Sequence, residues 1–156
     1  MIYIALIKNF KKEKMVKKKI IILDDEPLIP ILIREMIQEE QGLEIAAIAT
    51  DKEEFLEAVK NNSFDAALID ISVGGREGGL ELLEILKNQN INLPLIILSA
   101  HDERNYALKC LHAGARGYIS KNYICTDLIR GLKEIFDGNA FVSGDKGESI
   151  VKQYHS

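Results

Sequence analysis

The chain has 156 residues, of which 47% are hydrophobic and 28% are charged, which is enough for one domain with a core and too little for two ordinary ones. This composition excludes a disordered chain, and two cysteines without a C-x-x-C pair argue against a zinc site or a disulfide framework. The formal net charge of −4 argues against nucleic-acid binding by the body of the chain.

The first residues form a basic arm. Residues 1–19 carry seven lysines and one glutamate, so the remaining chain holds more negative charge than the total. The apolar run at 2–7 is too short to span a membrane, and it precedes the lysines, which reverses the order of a signal peptide. We therefore expect residues 1–18 to be a disordered arm on a cytoplasmic protein without membrane contact.

Five short aliphatic runs predict the strands of a sheet. They lack the alternation of polar and apolar residues that half-exposed strands show, which is typical of parallel strands buried on both faces. The runs lie at 20–23, 43–49, 66–69, 95–98 and 117–119.

Amphipathic segments between these runs predict helices. The first places Leu28, Leu32, Met36 and Ile37 towards the core, with both nearby prolines in its opening turn. Further helices are expected near 52–60, 78–88 and 103–112. Since helices and strands alternate, we expect a doubly wound α/β fold with right-handed crossovers.

The last predicted helix has the clearest apolar face. Leu128, Leu132, Ile135 and Phe136 follow helical spacing, with Thr126 as the N-cap and Gly138 as the stop. The polar residues 142–156 contain two further glycines, and we expect a flexible tail or linker there. The folded domain is therefore predicted over 19–141.

Polar side chains follow four of the five predicted strands, at the edge where open α/β sheets bind ligands. Asp24 and Asp25 follow the first strand, Asp70 ends the third, Ser99 follows the fourth and Lys121 follows the fifth. Clustered carboxylates need a cation or a raised pKa, and Mg²⁺ binds such oxygens together with a phosphate. A lysine and a hydroxyl complete what phosphoryl transfer requires.

Each of these residues alone has a plainer explanation. Acids after a strand suit a solvated turn or the positive end of a helix dipole, and a single lysine is usually an exposed one. The prediction of a phosphoryl site therefore depends on their co-occurrence at neighbouring strand ends.

Four segments carry a resemblance to a known family. They are the residues Ile-Leu-Asp-Asp-Glu at 22–26, Leu-Ile-Asp-Ile-Ser at 68–72, Leu-Ser-Ala at 98–100 and Gly-Ala-Arg-Gly-Tyr-Ile-Ser-Lys at 114–121. Together they resemble the receiver domain of two-component response regulators, and the last segment is most similar to receivers that precede LuxR-type helix-turn-helix domains. The resemblance implies a flavodoxin-like (βα)5 fold with five parallel strands in the order 2-1-3-4-5.

The resemblance also implies the roles of the acidic residues. Asp70 corresponds to the phosphoacceptor. Asp24, Asp25 and Asp70 correspond to the ligands of Mg²⁺, for which Mn²⁺ could substitute, and the backbone carbonyl of Ser72 corresponds to a further ligand. These assignments predict phosphorylation on Asp70 by a sensor histidine kinase.

The remaining family positions are a lysine, a hydroxyl and an aromatic ring. Lys121 matches the lysine that pairs with the phosphate, Ser99 matches the switch hydroxyl, and Tyr118 matches the switch aromatic. Two positions depart from the family pattern, because Gly74 replaces a common proline four residues after the acceptor and Asn122 replaces the proline that often follows the lysine. Neither change removes a reacting group.

The expected function is a phosphorylation-dependent switch rather than an enzyme with its own substrate. It promotes only its own phosphotransfer and dephosphorylation and controls an output domain or partner, in the context of transcription regulation. A homodimer on phosphorylation is compatible with this role, whereas direct DNA binding by this chain is not expected. Both a stand-alone receiver and a piece of a DNA-binding regulator fit the sequence.

Two other functions compete with this interpretation. A phosphohydrolase that forms an aspartyl-phosphate would need a second acid two residues after Asp70, where the chain has Ser72. A flavin-binding module of the same topology would need a phosphate-binding loop after the first strand, where Asp24 and Asp25 would repel the cofactor's phosphate.

Overall fold

The structure, a computed structural model, describes residues 16–101 and 103–156. These residues form one six-stranded sheet in the order β2-β1-β3-β4-β5-β6, with every neighbouring pair parallel. The strands are β1 (Lys18–Leu23), β2 (Leu43–Ala49), β3 (Ala66–Asp70), β4 (Leu95–Ser99), β5 (Gly117–Ser120) and β6 (Phe141–Val142). The predicted order of the first five strands agrees with the structure, whereas the predicted count of five is wrong.

Helices connect the strands and cover both faces of the sheet. They are α1 (Leu28–Gln38), α2 (Lys52–Asn61), α3 (Gly78–Asn88), α4 (Arg104–His112), α5 (Ile124–Phe136) and α6 (Gly147–His155), with a short 3₁₀ turn (Lys121–Tyr123) before α5. No helix in the described ranges is both long and apolar enough to cross a membrane.

The core lies in two layers, one on each face of the sheet. Along β1, Ile21 and Leu23 pack towards α2, α3 and α4, while Ile20 and Ile22 pack towards α1 and α5. Successive side chains of a strand point to opposite faces, so a strand that is covered on both sides must be apolar throughout. This explains why the strand runs lack polar alternation.

Helix α1 presents a different face from the predicted one. Its buried residues are Pro30, Ile33 and Ile37, whereas Leu28 is 72% exposed. Five residues correspond to about 140° of rotation around a helix, so a face centred on Ile33 turns Leu28 away from the sheet. The prediction that Leu28 contributes to the core is therefore wrong.

Helix α5 begins two residues earlier than its predicted N-cap. It starts at Ile124, directly after the 3₁₀ turn, so Thr126 lies inside the helix and its hydroxyl donates to the carbonyl of Tyr123 at 3.3 Å. Leu128 is fully buried on the inner face as expected. Gly138 follows the end of the helix with φ +88°, which confirms the predicted stop.

The segment 142–156, expected to be a flexible tail, is largely regular structure. Strand β6 pairs with β5, placing Val142 opposite Tyr118. Helix α6 then packs on α4, where the Arg104 guanidinium donates to Gln153 at 2.8 Å and to Ser149 at 2.9 Å. A two-residue strand is too short to produce a sequence pattern. A surface helix with few buried residues has a mostly polar sequence, which does not predict a helix clearly.

The predicted arm falls mostly outside the described residues. Residues 1–15 lie outside them, and Lys18 already belongs to β1, where its N–H donates to the carbonyl of Gly42 at 2.7 Å.

Candidate functional site

Three carboxylates meet at the carboxyl edge of the sheet. Asp24 and Asp25 follow β1, and Asp70 is the last residue of the neighbouring strand β3. One ligand oxygen from each lies within 4.8 Å of the other two. Asp24 and Asp70 are buried, with exposed fractions of 1% and 3%, whereas Asp25 is exposed. The cluster is therefore open to solvent on one side only.

Asp24 has an oxygen that lacks a partner. Its Oδ1 accepts the N–H of Glu26 at 2.9 Å, while its Oδ2 is buried and makes no hydrogen bond. Burial is the main reason that the pKa of Asp24 is raised, and the nearby Asp70 and Asp25 raise it further. An unpartnered carboxylate oxygen beside two further acids suits a hard divalent cation such as Mg²⁺.

Asp70 is held through both of its oxygens. Its Oδ1 accepts the N–H of Ser72 at 3.1 Å and the Ser72 hydroxyl at 2.9 Å. Its Oδ2 lies 3.1 Å from Nζ of Lys121, which begins the 3₁₀ turn after β5. The structure therefore brings Lys121 into contact with Asp70, a member of the acidic cluster, although 51 positions separate them in the chain.

The loop after Asp70 contains the predicted carbonyl ligand. The carbonyl of Ser72 accepts the N–H of Gly75 at 3.2 Å, which leaves one lone pair of that oxygen for a cation. Gly74 has φ +77°, a conformation that proline is unable to adopt, so the loop follows a different path from one with proline at this position. The peptide bond between Lys121 and Asn122 is trans.

Ser99 and Tyr118 both form hydrogen bonds with the backbone of His101 and not with Asp70. The Ser99 hydroxyl is fully buried and accepts the N–H of His101 at 3.0 Å. Tyr118 is buried with its ring facing inward, and its hydroxyl donates to the carbonyl of His101. Burial raises the pKa of Tyr118 to about 12, and the Ser99 side chain partly offsets this rise. Tyr118 is therefore a neutral hydrogen-bond donor at physiological pH.

Comparison with known families identifies the family of this chain. The family model of the response regulator receiver domain matches residues 20–133, which is most of the chain and includes every residue of the site.

The chain belongs to the response regulator receiver domain family.

Individual relatives agree with this assignment. Response regulator UvrY of Escherichia coli is 25% identical over 132 residues, which cover 85% of this chain and 60% of UvrY. The transcriptional regulatory protein DegU of Brevibacillus brevis is 28% identical over 138 residues, which cover 88% of this chain and 58% of DegU. The chain thus spans about 60% of the length of these curated relatives.

Solved structures support the fold. The isolated receiver domain of RcsB from Salmonella enterica serovar Typhimurium, in the apo form, superposes with a TM-score of 0.77 at 20% identity. The match covers 90% of this chain and 100% of that domain. The chain therefore has the receiver fold, in a family of two-component signalling proteins whose members include transcription regulators.

Two polar residues outside the predicted site connect this receiver domain to its C-terminal segment. The N–H of Ser120, directly before Lys121, donates to the Ser143 hydroxyl at 2.9 Å. The buried Asp127 accepts the N–H of Gly144 at 2.8 Å. Asp127 shares the inner face of α5 with Gly131 and Ile135, and an acid on an apolar face was the signal available in the sequence. No pattern marked Ser143.

Proposed function

We propose that Asp70 accepts a phosphoryl group from a sensor histidine kinase, with Mg²⁺ or Mn²⁺ held by Asp24, Asp25, Asp70 and the carbonyl of Ser72. The observation that carries this proposal is the contact between Lys121 Nζ and Asp70 Oδ2 beside two further acids. A carboxylate flanked by an acidic cluster and a single lysine matches the charge requirements of phosphoryl transfer.

The chemistry follows from these contacts. An Asp70 oxygen attacks phosphorus, the P–O bond to Asp70 forms, and the bond from phosphorus to the donor's imidazole nitrogen breaks. A cation held by these residues would neutralise charge on the phosphoryl oxygens. Lys121 moves from a carboxylate oxygen to a phosphoryl oxygen, since a charge-assisted bond to the new dianion is stronger. Ser72 keeps the carboxylate oriented through its N–H and hydroxyl.

The rival functions fit the site less well. The residue two positions after Asp70 is Ser72, whose hydroxyl is engaged with Asp70 at 2.9 Å and has no acidic proton to give to a leaving group. A phosphohydrolase is therefore disfavoured. The loop after β1 presents Asp24 and Asp25, which would repel the phosphate of a flavin.

Intact-mass measurement tests the proposal directly. After incubation with acetyl phosphate and Mg²⁺, the protein is expected to gain the mass of one phosphoryl group, and a chelator is expected to prevent the gain. A protein that stays unmodified at millimolar donor and Mg²⁺, or that gains the group equally well in chelator, contradicts the proposal.

The proposed output is a change in the face built from α4, β5 and α5. In the structure β6 and α6 extend this face, because β6 pairs with β5 and α6 packs on α4. A phosphoryl group that draws Ser99 and Lys121 inward would disturb the His101 carbonyl that Tyr118 binds, and also Ser120, which binds Ser143. The C-terminal segment is therefore the proposed route to an output domain, partner or second copy, in a cytoplasmic regulator of transcription.

Beryllofluoride, a mimic of the phosphoryl group, is expected to change amide chemical shifts in α4, β5 and α6 as well as in the pocket. Tyr118→Phe removes the hydrogen bond to the His101 carbonyl, worth about 0.5–1.5 kcal/mol. It therefore alters the equilibrium between the conformation described here and the one that the phosphoryl group favours by up to about tenfold. In this variant we expect the shift changes of the amides in α4, β5 and α6 to differ in size from those of the wild type.

Tyr154→Phe, which removes a hydroxyl from α6, is the matched control and should behave as the wild type. Shift changes confined to the pocket loops of the wild type, with α4 and α6 silent, would contradict the proposed output path while leaving phosphorylation of Asp70 untouched.

A further inference from the structure

The loop between β3 and α3 follows the acceptor directly and contains consecutive glycines in unusual conformations. Gly74 has φ +77° and Gly75 has φ +130°. Glycine loses more backbone freedom on ordering than any other residue. The backbone hydrogen bonds from Gly75 to Ser72 and from Gly78 to Gly75 order this loop from within, and contacts from other elements add to them.

The side chain of Lys52 supplies such contacts from α2. A Cβ placed on Gly74 would lie 2.8 Å from Lys52 Cε, and one placed on Gly78 would lie 3.4 Å from the same atom. The end of the Lys52 side chain, from Cδ to Nζ, therefore lies against Gly74, and its Cε also approaches Gly78. The Lys52 side chain is only 19% exposed.

The ammonium group of Lys52 lies beside Gly74 and pairs with a carboxylate of α3. Its Nζ lies 3.0 Å from Glu81 Oε2, in the first turn of α3. The side chain thus spans from α2 to α3 with the glycine loop beneath it. At the end of the same loop, Lys109 of α4 pairs with Glu77, the residue before α3, at 2.7 Å.

Helix stability does not explain a lysine at this position. Lys52 is the first residue of α2, where the positive end of the helix dipole favours acids, and the next two residues are glutamates. The N-cap bond is made by Asp51, which accepts the N–H of Glu54 at 2.8 Å. The contacts of Lys52 that stabilise the protein are therefore those across the loop.

We infer that Lys52 is a positioning residue for the Asp70 site, whose aliphatic stem holds the glycine loop so that Ser72 faces Asp70. This inference rests on the proposed function for its consequence, but its structural part does not require phosphorylation. The stem matters more than the charge, because an ion pair with a partner as exposed as Glu81, at 69%, contributes little to stability.

Amide hydrogen exchange in metal-free protein tests the structural part. The N–H groups of Gly75 and Gly78 are bonded to the carbonyls of Ser72 and Gly75, both at 3.2 Å. Lys52→Ala is expected to speed their exchange by about tenfold, since the loop opens more often. Lys52→Met keeps a stem of similar length without the charge and should stay within about twofold of the wild type.

The second measurement is the Mg²⁺ concentration that gives half the maximal rate of phosphorylation by acetyl phosphate. Lys52→Ala should raise it by about fivefold or more, with the maximal rate restored at high Mg²⁺, because the carbonyl of Ser72 is less well placed. Lys60→Ala makes the same charge change at the exposed end of α2 and is expected to match the wild type in both measurements.

The outcomes separate the two proposals. Wild-type exchange and Mg²⁺ dependence in Lys52→Ala overturn the role of Lys52, and so does a Lys52→Met variant as impaired as Lys52→Ala. Absence of phosphorylation in the wild type overturns the proposed function instead, while faster exchange in Lys52→Ala would still support the positioning of the loop.

Discussion

Asp70→Asn is expected to abolish the gain of a phosphoryl group. The amide of asparagine is a poor nucleophile and carries no charge, so it neither attacks phosphorus nor pairs with Lys121, which lies 3.1 Å from Asp70 Oδ2. We expect the rate of mass gain with acetyl phosphate and Mg²⁺ to fall by at least about a hundredfold, since removing a covalent nucleophile closes the path rather than slowing it. Intact-mass spectrometry over time measures this rate.

The fold of this variant should be intact. Asparagine has the shape of aspartate, and its side-chain oxygen can still accept the N–H and hydroxyl of Ser72. Asp137→Asn, which makes the same change at an exposed position after α5, is the matched control and should be phosphorylated as fast as the wild type. A full mass gain in Asp70→Asn would show that another residue is the acceptor.

Asp24→Asn is expected to change stability and Mg²⁺ affinity in opposite directions. In the metal-free protein Asp24 is buried, has an unpartnered Oδ2 and faces two further acids. Like charges about 4 Å apart repel by roughly 1 to 4 kcal/mol, so removing one of them should stabilise the metal-free fold by about 1 kcal/mol. The same change removes a proposed ligand, and we expect Mg²⁺ to bind at least about tenfold more weakly.

The gain in stability should depend on pH. Because burial raises the pKa of Asp24 above its ordinary value of 3.8, the folded metal-free protein holds this proton more tightly than the unfolded chain does. The contribution of Asp24 to stability is therefore lost as the pH rises from the ordinary value through the raised one. Asp24→Asn lacks this loss. The difference in the free energy of unfolding between Asp24→Asn and the wild type should therefore be small near pH 4 and larger at pH 7.

Urea unfolding in chelator at the two pH values measures the stability difference, and calorimetric titration with Mg²⁺ measures the affinity. Asp137→Asn again serves as the control and should alter neither quantity. Equal Mg²⁺ affinity in Asp24→Asn and the wild type would remove Asp24 from the metal site, and a less stable variant at pH 7 would contradict the electrostatic account of the cluster.

Much of the fold was predictable because it depends on burial. Strands covered on both faces must be apolar throughout, and the helices between them follow a period of 3.6, so the first five strands and the order of elements are visible in the sequence. The acids after β1 and at the end of β3, together with Lys121, were predictable as a group since parallel strands end at one edge.

The details that failed depend on packing. The face of α1 is set by Ile33 and Ile37 against the sheet, and the sequence alone does not decide which of two apolar stripes, with or without Leu28, lies inside. Strand β6 is two residues long, and its place is decided by pairing with β5 and not by a pattern of its own. Helix α6 lies on the surface, so its sequence is mostly polar and gives little sign of a helix.

By itself, the sequence determined the class of fold and the residue types at the strand ends, since both follow from hydrophobic periodicity and the direction of parallel strands. Only the tertiary structure decided which atoms meet. The contact of Lys121 with one oxygen of Asp70, the inward position of Tyr118 against His101 and the stem of Lys52 over Gly74 join residues far apart in the chain. Such contacts depend on how the helices and strands pack against each other, and a local sequence pattern does not predict that packing.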